Sequence, residues 1–92
     1  TISETSGIVE LFTSAITEGV PLFNIGEPDR CADIYQTAIV SVVLLAADKL
    51  SDAEMQILTG ALQSAKGRIN QADRAWVLRK AMDSVMSNVA AE

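Results

Sequence analysis

At 92 residues the chain has room for one domain with one modest core, and with two Phe, one Tyr and one Trp that core must be mainly aliphatic. The net charge is −5, and the basic residues concentrate only at Lys66, Arg68, Arg74, Arg79 and Lys80, a run that Asp73 interrupts and Asp83 follows, which disfavours nucleic acid and anionic lipid as partners. The absence of histidine removes the usual general base and the Glu-x-x-His pairs of di-iron bundles, and a single cysteine permits neither an internal disulfide nor a zinc site.

Richness in Ala, Leu, Glu, Lys, Gln and Met favours helix throughout. A first helix is predicted over about 4–18, with Ser3 or Thr5 as cap and Glu4 near the positive end of the dipole. Ile8, Leu11, Phe12, Ala15 and Ile16 form its apolar stripe at helical spacing. Gly19 is expected just beyond its end in the left-handed conformation, with Pro21 blocking any continuation. Residues 19–30 would then be a structured loop, with Leu22 and Phe23 directed at the core and Asn24 and Gly26 turning the chain.

Pro28 suits the first position of a second helix, predicted over about 28–49, because the amide proton it lacks would have had no intrahelical partner. From Ala38 onward this helix has no polar face: Ile39, Val42, Val43, Leu45 and Ala46 surround it, so it is read as the buried central element. Ser51-Asp-Ala-Glu54 is a capping box and opens a third helix over about 52–66, with the stripe Met55, Leu58, Ala61, Leu62 and Ala65 and Gly67 at its end. Asn70 caps a fourth helix over about 71–89, beyond which Ala90 to Glu92 should fray. The fold expected is a compact all-α, up-down four-helix bundle. The fourth helix carries two apolar sides, one from Ile69, Ala72, Trp76 and Val77, the other from Leu78, Met82, Val85, Met86 and Val89. One straight helix on one neighbour cannot bury both. Either the helix bends or its C-terminal half meets another chain, and the second set is read as an interface to a protein partner or a second copy of the chain.

Rare residue types crowd into one segment: Gly19, Pro21, Asn24, Gly26, Pro28, Cys31 and Tyr35. Cys31 sits where a helix dipole lowers a thiol pKa, but Glu27, Asp29 and Asp33 surround it with only Arg30 to offset them. That favours a buried small hydrophobe over a reactive thiol or an intermolecular disulfide. Tyr35 is read as an anchor that pins the loop, its hydroxyl finding Asn24 or loop carbonyls. A ligand contact is the second reading, with Asn24, Tyr35, Trp76 and Arg79 as its residues. Arg79 and Lys80 are expected to pair with acids of the first or second helix. No glycine-rich phosphate loop or nucleophile motif is present, so no enzymatic activity, cofactor or metal is expected.

The pattern Gly-Val-Pro-Leu-Phe-Asn-x-Gly-x4-Cys-x2-Ile-Tyr resembles one carried by small, mostly uncharacterised bacterial helical domains, with residues 16–38 bearing the likeness. The resemblance implies no activity. It implies a module beside other domains and, for some members, a periplasmic or secreted setting after removal of an N-terminal segment. Thr1 to Gly7 has neither the charged nor the apolar region of a signal peptide, and the uncharged run Ile34–Ala47 is shorter than the about 20 residues that cross a bilayer. Two functions are expected in order: a non-catalytic protein-interaction or self-assembly module, and alternatively a sensor or accessory domain that holds a small ligand under the 19–30 loop near Tyr35.

Overall fold

A computed structural model describes residues 6–91 and the side chains of 7–89; the expected caps Ser3 and Thr5, and Glu4, lie outside them. Four helices form: α1 (Ser6–Asn24), α2 (Pro28–Leu45), α3 (Asp52–Lys66) and α4 (Gln71–Ala91). Short connections make sequence neighbours antiparallel. Phe23 meets Trp76 while Thr13 lies beside Met86, so α1 and α4 also run in opposite directions, which leaves α2 and α4 parallel. These two pack along each other as the spine, with α1 mainly on α2 and α3 mainly on α4. The core contains Ile8 and Phe12 of α1, Ile39 and Val42 of α2, Leu58 of α3, and Leu78, Met82 and Val85 of α4.

The largest departure from expectation is in α1. It does not end at Glu18 but runs through Gly19 and Pro21 to Asn24. Its true stop is Gly26, the one residue with positive φ (88°) among those described. There Gly26 N–H donates to Phe23 C=O and Glu27 N–H to Leu22 C=O, at 3.2 and 2.9 Å. These paired bonds are a Schellman motif, which satisfies carbonyls that the helix end leaves free. The left-handed glycine is thus real and lies seven residues later than Gly19.

Gly19 answers a different need. A Cβ there would lie 2.6 Å from Tyr35 Cε1 and 3.1 Å from Cys31 Sγ. Only a bare backbone lets α1 approach α2 so closely. Pro21 forfeits a bond to the Thr17 carbonyl, at a cost of about 3 kcal/mol for a helix interior. Leu22 and Phe23, half-buried against the core beyond it, recover a comparable amount.

α2 opens with Pro28 in its first turn, as predicted, but ends at Leu45 rather than Lys49. Ala46 leaves the helix, and a short 3-10 turn, Ala47–Lys49, redirects the chain toward α3. Its all-round apolar surface is not buried at its end: Leu44 and Leu45 are 73% and 84% exposed. α3 begins with the predicted capping box, Ser51 Oγ accepting from Glu54 N–H at 3.1 Å and Glu54 Oε1 from Ser51 N–H at 2.8 Å. Asn70 caps α4 by accepting from the Ala72 and Asp73 amides at 2.9 and 3.2 Å.

α4 buries one stripe, Ala75, Leu78, Ala81, Met82, Val85 and Val89. Leu78, Met82, Val85 and Val89 are therefore core residues of this chain, and half-buried Met86 packs against the same core. The sequence-derived interface on α4 is overturned: α2 and α3 flank the helix and cover that stripe from within. Of the other proposed side, Ile69 before the helix and Trp76 are exposed, 97% and 52% accessible, while Ala72 is half-buried and Val77 packs partly against the core.

Candidate binding cleft

Extending α1 past Pro21 puts Val20, Phe23 and Asn24 on one face, at spacings of three and four residues. On the antiparallel α4, Ala75, Trp76 and Arg79 share the facing side by the same rule. Between the two helices lies a cleft of about 210 Å³, lined by these six residues and Tyr35 from α2. Phe23 meets Trp76 edge-to-face, with ring centroids 6.1 Å apart and planes at 75°. This is the favoured geometry for two aromatic quadrupoles. Ala75 beside Trp76 keeps the floor open, since a larger side chain there would fill it.

All four residues read from the sequence as a ligand set, Asn24, Tyr35, Trp76 and Arg79, converge on this cleft. Phe23, Val20 and Ala75 complete it. Sequence reasoning misses them as site residues because it places Phe23 in a loop and directs it at the core; its register with Val20 and Asn24 emerges only once α1 is continuous. Asn24 lies in the last turn of α1 and not in a loop.

Tyr35 is buried, and its hydroxyl lies beside the Cys31 thiol and the Arg79 guanidinium, not the loop carbonyls expected. Burial, reinforced by Cys31, pushes the phenol pKa up to about 12 against the opposing pull of Arg79. At neutral pH it is an un-ionised donor. Burial alone would lower the Arg79 pKa, but Asp83 and Tyr35 more than offset that and hold it above its ordinary value. Arg79 Nε donates to Asp83 on its own helix at 3.3 Å. The ion pair across helices belongs instead to Arg74, which donates to Asp33 at 2.8 Å and Gln36 at 2.7 Å on α2, and to Gln71 at 2.8 Å. Lys80 is exposed.

Cys31 is buried against Gly19 and Tyr35, as a small core residue. Among the described residues no group of three or more His, Cys, Asp or Glu is placed to hold a metal ion, and no helix is long and apolar enough to cross a membrane. No family model matches the chain, and no curated protein or solved structure matches it either.

Proposed function

We propose that the chain is a non-catalytic recognition domain and that its binding site is the cleft between α1 and α4. The observation that carries this reading is the convergence of Asn24, Tyr35, Trp76 and Arg79 with Phe23 around one open cavity. An apolar hollow with a few convergent polar groups is the usual form of a binding site. Trp, Tyr and Arg are also the residue types that dominate recognition energetics. The volume lies below the roughly 300–1,000 Å³ of typical small-molecule pockets, which suits one ring or one side chain better than an extended ligand.

Support comes also from the segment that resembles small bacterial helical domains. Gly19 permits the helix approach, Phe23, Asn24 and Tyr35 line the cleft, and Gly26 ends α1 just beyond it. Self-assembly through α4 has lost its basis, because the residues chosen for it are core. Protein interaction remains within the proposal as one source of the group that enters the cleft.

Amide chemical-shift mapping with a library of small aromatic fragments tests the reading. The expected result is a set of perturbed amides confined to residues 20–24, 35 and 75–79, reduced in Val20→Phe, which narrows the mouth. A library that perturbs no residue there, or perturbs wild type and Val20→Phe alike, would sink the assignment.

A further inference from the structure

The cleft has a chemical polarity. Its walls are apolar, from Val20, Phe23, Ala75 and Trp76, while its polar groups, Arg79, Tyr35 and Asn24, gather without any carboxylate among the lining residues. In a chain of net charge −5 the one charged side chain in the lining is a cation, Arg79. Asp83 engages Arg79 only through Nε, at a long 3.3 Å and from outside the cleft lining. A guanidinium presents five donors in a fixed fork, so a partner at Nε leaves its terminal nitrogens able to take a carboxylate in bidentate fashion. Tyr35 adds an un-ionised hydroxyl donor beside that fork, and the Asn24 amide adds donors at the rim.

Resting on the recognition reading above, we infer that the cleft takes an apolar ring or branched group that bears a carboxylate, with Arg79 pairing the anion and Phe23 and Trp76 flanking the apolar body. Two sources supply this chemistry: a free aromatic acid, and the C-terminal residue of a peptide chain. The half-exposed Trp76 lies at the opening, so either source enters without unfolding the bundle.

Trp76 is the sole tryptophan, so its emission reports on this site alone. The chain is titrated with phenylpropionate and with phenylpropionamide in one arm, and with acetyl-Gly-Gly-Phe and its C-terminal amide in the other. In at least one arm the acid is expected to bind about ten- to a hundredfold tighter than its amide, the range of a hydrogen bond to a charged group. Arg79→Gln should erase that ratio and Arg79→Lys retain part of it, with circular dichroism confirming that both variants fold. The arm that discriminates identifies the source. Equal binding of acid and amide in both arms overturns the carboxylate inference while leaving the cleft as an apolar recognition site. No response of Trp76 to any of the four probes overturns both readings, and an acid preference that survives Arg79→Gln overturns the role of Arg79.

Discussion

The two helical hairpins of this domain solve the same problem in different ways. In α3/α4 the helix starts are satisfied by side chains, Ser51 with Glu54 and Asn70, and Gly67 after α3 keeps an ordinary helical φ of −85°. In α1/α2 the work falls on the backbone: Gly26 turns in the left-handed region, Pro28 opens the next helix, and Gly19 brings the two backbones together over Tyr35. These side-chain caps fix where α3 and α4 begin and do little else. The backbone devices also set the distance between α1 and α2 and carry α1 far enough to face Trp76. The first hairpin therefore forms the cleft, and the second supplies its opposite wall.

Gly19→Ala strikes this arrangement hardest. The new Cβ would meet the Tyr35 ring at 2.6 Å and Cys31 Sγ at 3.1 Å; both residues are buried, and the ring can yield only into the cleft that it lines. Overpacking of this kind costs about 1–3 kcal/mol. Chemical denaturation should show that loss with an unchanged m-value, and the variant should also weaken fragment binding at the cleft. Wild-type stability in Gly19→Ala would mean that α1 and α2 do not approach so closely.

The second pair of substitutions separates the two hairpins by sign. Gly26→Ala forces a Cβ into the left-handed region, at a cost of about 1–2 kcal/mol. At Gly67 the backbone is already compatible with alanine, and a Cβ would come no closer than 3.7 Å to the Ser64 carbonyl. Gly67→Ala should therefore stabilise by about 0.4–1 kcal/mol, by restricting the unfolded chain. Thermal melts of the two variants should move in opposite directions. Shifts of the same sign would dissolve the contrast between the hairpins.

The four helices, the capping box at Ser51 and the cap at Asn70 were legible in the sequence because each depends on residues within a few positions of one another. The end of α1 was not. Gly19 and Pro21 together imitate a helix stop, and only the Tyr35 ring, on another helix, reveals that Gly19 is there for clearance. On α4 the bulk of Trp76 dominates the sequence pattern, whereas Ala75 and Ala81 mark the buried stripe only through the neighbours that their small side chains admit. The site residues could be named singly from their chemistry. Their convergence could not, because it follows from the extra turn of α1.

The last effect is the most specific to the cleft, and it is absent at neutral pH. Tyr35 is the only tyrosine, so phenolate absorbance follows it without overlap from another residue. In the folded chain it should ionise near pH 12, against an ordinary value of 10.0, chiefly because burial disfavours the anion. In denaturant it should return to about pH 10. Between those two values the unfolded chain has released a proton that the native chain still holds, so the stability from this group, complete below pH 10, declines as pH rises through about 12. Arg79 pulls the other way, so Arg79→Gln should move the native titration higher still while leaving the denatured one in place. A native midpoint at the denatured value would place the hydroxyl in water and remove Tyr35 from the polar end of the cleft. An upward shift in Arg79→Gln would show that the guanidinium and the phenol face each other in solution, which the first hairpin alone, without the α4 wall, could not produce.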